Sequence, residues 1–305
     1  MMAEQKRTID GDLERTIASY KSSLAYYAGS KNLGMLASTY VGLVRALDKA
    51  GLREEAAKIS LEAIPVINAK IEEDSADSAY SLAAGRYSDL GDVLRVAGKP
   101  EEAKAAKLKA AAMYRDKVPK GDAGHLSASD AFTLWHAAQC FIDAGMKSEA
   151  MPLTKRSAEI FLKEATEEEM SKAYSPDLQR YGNMVLMYID YAVKVLVDGG
   201  LESEAVPIAE DFIARFRERA QSHVGNCYFE SAKDDLEQVI RVAEMVGLSY
   251  ETRRAEEDIR RLAVAKELYE KQQDKQRLLR RATEPIEKLW HSVSDRITLR
   301  TEGKR

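Results

Sequence analysis

Five glycines, each followed four residues later by a glutamate, constrain this chain more than any other feature. They are Gly51, Gly98, Gly145, Gly200 and Gly247, and the acids are Glu55, Glu102, Glu149, Glu204 and Glu251. Alanine follows the acid four times, at Ala56, Ala103, Ala150 and Ala205, while Thr252 takes that place in the weaker fifth copy. The glycines are 47, 47, 55 and 47 residues apart. A fixed period of this size marks a repeat architecture, in which one unit cannot cover its apolar face alone and neighbours stack to do so.

The unit reads as two helices joined by a tight turn. A helix ends, glycine adopts a left-handed backbone conformation that other residues avoid, and a second helix begins. The glutamate then lies in the first turn of the second helix, where the helix dipole favours negative charge. The small alanine lets the two helices approach closely.

Apolar residues recur around each glycine at helical spacing. Eleven residues before it stand Tyr40, Tyr87, Leu134, Ile189 and Leu236. Eight before stand Leu43, Leu90, Ala137, Ala192 and Val239, and four before stand Leu47, Leu94, Phe141, Leu196 and Ala243. Downstream, Ile59, Ala106, Leu153, Ile208 and Ala255 follow at eight, and Ile67, Tyr114, Phe161, Phe216 and Ala263 at sixteen. These columns are the expected packing stripes of an all-α solenoid of about five antiparallel helix pairs, with capping helices at both ends.

With Gly91 and Ala138 at the small position of the first helix, the pattern resembles the tetratricopeptide repeat, over about residues 30–270. Three repeats depart from it by holding Val44, Val193 and Ile240 there, and the family's closing proline is missing. The family period is about 34 residues. The longer period here implies roughly 10 Å of extra length per helix at 1.5 Å per residue. The resemblance implies a protein that holds a protein or peptide partner on the inward face of its first helices. By its register, the candidate partner-binding residues are Arg45, Gln139, Lys194 and Arg241, six before their glycines, with Tyr191 nine before and Trp135 ten before. Asp92 interrupts the six-before column. The paired asparagines and lysines of the family's clamp for peptide carboxylates are absent, since Gly42, Asp89, His136, Tyr191 and Gln238 stand nine before.

The ends are read as 1–29, an N-terminal capping helix with Ile9, Leu13, Ile17, Tyr20 and Leu24 in register, and 271–305, a basic and amphipathic extension. A helix is predicted from about Tyr250 to Arg281, then a second, short one after Pro285 with Ile286, Leu289, Trp290, Val293 and Ile297 on one side. That segment reads first as a terminal cap, because solenoid ends need one, and otherwise as a docking helix through which a homo-oligomer could form. Val118–Asp130 reads as a loop with Ser127 or Ser129 as the following helix cap. The eight-residue excess of the third interval is assigned to a loop within 164–177. Pro152 and Pro207 are expected in the first turn of their helices, behind Ser148 and Ser203 as caps.

Net charge is −4, from 46 basic and 50 acidic residues. That balance disfavours a nucleic-acid binder, which shows a basic excess, although the C-terminal helix carries a local run of arginines and lysines. Two cysteines, Cys140 and Cys227, make no disulfide framework. With no apolar leader and no span of about 20 apolar residues, a cytoplasmic protein away from membranes is expected.

No chemistry-bearing motif emerges. His223 and Cys227 are four apart but lack a second pair of zinc ligands, and they read as a surface histidine beside a buried cysteine. LAAGRYSDLGD, residues 82–92, lacks the lysine of a phosphate loop. The sequence therefore predicts a non-catalytic protein–protein interaction scaffold without metal or cofactor. The alternatives it leaves are a nucleic-acid-associated protein using the C-terminal helix, or a sensor of a peptide or small molecule.

Overall fold

The structure, a computed structural model, describes residues 11–302 apart from 31, 78, 121–124 and 173–177; the side chains of 168–183, 186 and 278–302 also lie outside the description. Eleven helices and no strand are found among the described residues. In order they are α1 (Gly11–Ala28), α2 (Leu33–Lys49), α3 (Arg53–Ala76), α4 (Tyr80–Val96), α5 (Pro100–Lys117), α6 (Ala128–Asp143), α7 (Lys147–Lys172), α8 (Leu178–Asp198), α9 (Glu202–Gly225), α10 (Phe229–Met245) and α11 (Ser249–Glu302). The chain divides into two compact units, Met1–Ile208 and Ala209–Arg305, with the boundary inside α9.

The glycine turns follow from backbone chemistry. All five glycines are left-handed, with φ between 74° and 79°. At Gly98, its own N–H donates to the Arg95 carbonyl and the Lys99 N–H to the Leu94 carbonyl. This paired arrangement satisfies carbonyls that the end of α4 would leave bare. The same two bonds recur at the other four glycines. The second bond always ends on the residue four before the glycine, so the buried stripe and the turn are built on the same residue. Each of the five glutamates occupies the first turn of its second helix.

A sixth turn of this kind carries no glycine. Between α9 and α10, Cys227 holds φ at 63° while the Tyr228 N–H donates to the His223 carbonyl. Cys227 is exposed, which corrects its reading as a buried thiol; Cys140 is buried. The left-handed cap explains the exposure, because it throws the side chain off the end of α9.

Within the first unit, α1 to α8 pack in chain order, each against the next. Every residue four or eight before a glycine is buried in both units. The N-terminal reading holds for the described part of α1, whose Ile17 packs on Leu43, Ala46, Leu47 and Ala56; Ile9 lies outside the described residues. Ser127 caps α6, its hydroxyl and backbone N–H both engaged by the Asp130 carboxylate. In the second unit, Ala220, Ala232, Leu236 and Leu262 join α9, α10 and α11 in one core, with Phe229 and Ile259 against it.

Three local readings need correction. Pro152 and Pro207 are each the sixth residue of their helix, since α7 begins at Lys147 and α9 at Glu202. Each therefore forfeits an internal backbone bond rather than a redundant one. The residues 164–177 are largely helix: α7 runs on to Lys172 and α8 begins at Leu178, leaving only 173–177 outside the description. Helix formers such as Glu, Lys, Ala and Met extend the helix there instead of forming a loop. Lastly, α11 is continuous through position 285, so the expected break at Pro285 is absent. A proline removes one hydrogen bond, and strong helix formers on both sides carry the helix past it. The side chains from Ile286 to Ile297, and the cap or oligomer they suggested, fall outside the described residues.

Candidate functional site

The first helices α6 and α8 bring an aromatic ledge together inside the first unit. On α6, Phe132, Trp135 and Gln139 share a face at intervals of three and four; on α8, Met187, Tyr191, Lys194 and Asp198 do the same. Phe132 meets Tyr191 edge-to-face at 4.9 Å between ring centroids, and meets Phe161 of α7 in the same way at 4.9 Å. Phe161 also lies 5.4 Å from Tyr191. Such offset and edge-on pairs add about 0.5–1.5 kcal/mol beyond the area they bury. They join the rings of α6, α7 and α8 in one surface.

Trp135 stands at the open side of this cluster, half-buried. Its ring stacks beside His136 at 6.2 Å, and the Lys194 ammonium lies over it, 5.1 Å from the centroid. The indole N–H is buried and makes no hydrogen bond of full geometry. The Asp198 carboxyl is its ionisable neighbour: desolvation pushes that carboxyl up, while the Lys194 charge and the Trp135 N–H partly hold it down. Desolvation also pushes the His136 imidazole down, favouring its neutral form, and the Tyr114 phenol up to about 12. Tyr114 extends the cluster onto α5, 5.5 Å from His136. Gln139 is half-buried on the same face of α6 as Trp135.

The structure thus gathers Trp135, Tyr191, Lys194 and Gln139 on neighbouring helices. Arg45 is elsewhere and already engaged. Its guanidinium meets Asp89 at 3.0 Å and Asp92 at 2.6 Å, both on α4. Asp92 in turn meets Lys107 of α5 at 2.7 Å, and Lys107 reaches Asp143 of α6 at 2.8 Å. Lys107 is nearly buried, at 7% side-chain exposure, and also donates to the Ser88 hydroxyl at 3.1 Å. Gly91 makes this possible: a Cβ there would sit 2.7 Å from Lys107 Cγ. Arg241 is on α10 in the second unit, exposed.

Arg45 and Asp92 are one 47-residue period apart, as are Asp48 and Arg95, whose charged groups meet at 3.5 Å. Residues six before successive glycines therefore face each other across α2 and α4. The interruption of the basic column at Asp92 is a counter-charge for Arg45, a relation that subtracting the period from the residue number would have exposed. The aromatic packing of Phe132 was missed; its three-residue spacing from Trp135 was the available signal.

No described group of three or more acidic, histidine or cysteine side chains could hold a metal ion. Among the described residues of α11, Arg260 and Arg261 are matched by Glu257, Lys266 by Glu230, and Lys271 by Glu267. Among the described residues no helix is long and apolar enough to cross a membrane.

No family model and no curated protein matches this chain. Among solved structures, it is similar to BtubC (BKLC) from P. vanneervenii, at 16% identity over 84% of this chain and 92% of that one, with a TM-score of 0.41. It is also similar to a Podosopora anserina protein of the kinesin light chain type with nearly identical TPR-like repeats, at 14% identity over 74% and 94%, with a TM-score of 0.37. The helical-hairpin architecture is read from the chain's own turns and packing.

Proposed function

We propose that this chain of tetratricopeptide-like hairpins is a non-catalytic scaffold that holds a segment of a protein partner on the α6–α8 ledge. The observation that carries this is the state of Trp135: a large ring at the edge of an aromatic cluster, with a buried N–H lacking a full hydrogen bond and an ammonium over its face. Aromatic rings of this kind supply most of the affinity at interfaces. The ring offers apolar contact area to the partner, and the Lys194 ammonium over it favours acidic character. Gln139 and Tyr191 complete the contact. Arg45 contributes through the helix stack rather than by meeting the partner, and Arg241 would act from the second unit. Both cysteines are unpaired thiols, which suits a reducing compartment such as the cytoplasm.

The test is a titration of the identified partner segment with Trp135→Ala and Lys194→Glu, after thermal melts show both variants folded. Trp135→Ala should weaken binding by about 2 kcal/mol or more. Lys194→Glu should slow association and remove its salt dependence. Wild-type affinity and salt dependence in both would reject the ledge as the site.

A further inference from the structure

A second site lies in the other unit. Between α9 and α11, with α10 as floor, is a cavity of about 370 Å³. That is within the range of small-molecule sites, at its lower end. Ala220, Leu236 and Leu262 give it an apolar base, and Val224 and Ala265 extend the apolar lining. Three arginines, Arg217, Arg254 and Arg261, and one acid, Asp258, line it as well.

The same groove exists in the first unit, in the same register. There α3 and α5 flank α4 around a cavity of about 340 Å³ lined by Asn68, Tyr87, Ala105 and Lys109. Counted from their glycines, these four positions match Arg217, Leu236, Arg254 and Asp258. The groove is thus a product of the repeat, and its chemistry differs between the units. In the first, Lys109 caps it by bonding the Tyr87 hydroxyl at 2.6 Å, its ammonium 4.2 Å from the ring centroid. In the second, arginines replace Asn68 and Ala105.

Most of the charge in the second groove is already balanced. Arg217 meets Glu251 at 3.0 Å and Asp258 at 3.5 Å, and Arg261 meets Glu257 at 3.1 Å. Two donors are left. Arg254 is exposed and pairs with no acid among the described residues. The Arg217 Nε–H is buried with no acceptor, a state that costs free energy until an acceptor arrives. Arg261 shares Glu257 with Arg260, and a buried Glu251 oxygen beside Arg217 also has no hydrogen bond, so the surplus in the groove is positive and centres on Arg254. A cation without an acid and an unfilled N–H lining one groove call for a single negative charge with hydrogen-bonding oxygens. The apolar base calls for a compact apolar body attached to it.

We propose that the α9–α11 groove binds a small monocarboxylate with an aliphatic or aromatic body, its oxygens on Arg254 and Arg217 Nε and its body over Leu236 and Leu262. A guanidinium matches a carboxylate in geometry as well as charge. The site is separate from the α6–α8 ledge and does not depend on it.

Calorimetric titration of the full chain with sodium octanoate, and with octanamide as its neutral counterpart, tests this. Octanoate should bind saturably at one site, and octanamide at least tenfold more weakly. Arg254→Gln, an exposed change that should leave the melting curve intact, should weaken octanoate about tenfold and erase the difference between the two probes. Ala265→Trp, which fills the cavity, should abolish binding of both, whereas Trp135→Ala should change neither. Absence of saturable octanoate binding, equal binding of octanamide, or undiminished binding by the Arg254→Gln variant would overturn the proposal. So would binding of a peptide with a free C-terminal leucine in place of octanoate.

Discussion

The α2–α4 seam and the α6–α8 seam join first helices at matching positions of the repeat, one by charge and the other by aromatic rings. Across the first, Arg45 is held by Asp89 and Asp92, and the chain of ion pairs continues through buried Lys107 to Asp143. Across the second, the residue six before its glycine is Lys194, and it faces the ring of Trp135 instead of a carboxylate. The first seam satisfies its own charges and has little left to offer a partner. The second keeps an ammonium over an accessible ring and an N–H without a full partner. One repeat scaffold thus commits these positions to cohesion in one place and leaves them open in another, where we propose recognition.

The largest expected effect is on the ionic seam. Asp92→Ala should destabilise the protein by about 3 kcal/mol, because it leaves nearly buried Lys107 with Asp143 alone. Lys107→Met should cost much less, since it removes the buried charge and keeps the stem that packs against Gly91. Urea denaturation of both variants checks the order; equal midpoints would mean that the buried pair does not organise the seam. On the aromatic seam, Phe132→Ala should cost about 2 kcal/mol through lost packing on Phe161 and Tyr191. It should also weaken the partner, whereas Lys107→Met should leave partner binding unchanged.

The turns should not distinguish the seams. Gly98→Val and Gly145→Val should each destabilise by roughly 1–2 kcal/mol, because both glycines are left-handed and a β-branched residue is strained there. An unchanged melting temperature in either would show that the turn tolerates another backbone conformation.

Acid should separate the seams weakly. Desolvation holds His136 below its ordinary range, so from about pH 6.5 downward the unfolded imidazole takes the proton first and stability falls slightly. His136→Gln should flatten that slope. Asp92 is held low on balance: burial raises it, but Lys107 and Arg45 lower it more. Its stabilisation should persist to about pH 4 and be lost only below, as the folded carboxyl protonates. Asp89 is pushed up by burial, so its folded form binds a proton more readily than the unfolded one, and its protonation does not weaken the fold.

Much of this could be read in the residues alone. The five glycines, their capping bonds and the buried stripes are local consequences of backbone conformation and helical period, so they appear directly in the sequence. Cys227 hid the sixth turn because a non-glycine residue at positive φ leaves no compositional mark. Pro152, Pro207 and Pro285 were misplaced because helix formers around them outweigh one lost hydrogen bond. Of the candidate site, Trp135, Tyr191 and Lys194 could be found from register. The engagement of Arg45 could not be seen in a single column, because it depends on which side chain faces it from the next repeat.

Partner capture at the α6–α8 ledge is tested by replacing exposed Met187, on the Tyr191–Lys194 face of α8, with a photoreactive phenylalanine, and doing the same at exposed Leu61 on α3. Irradiation in cell extract followed by mass spectrometry then maps which peptides are captured. Position 187 should capture one defined partner segment, Trp135→Ala should abolish this capture in a folded protein, and position 61 should not capture that segment. Equal capture of the same segment from both positions, or capture from 187 that survives Trp135→Ala, would contradict partner binding at the ledge.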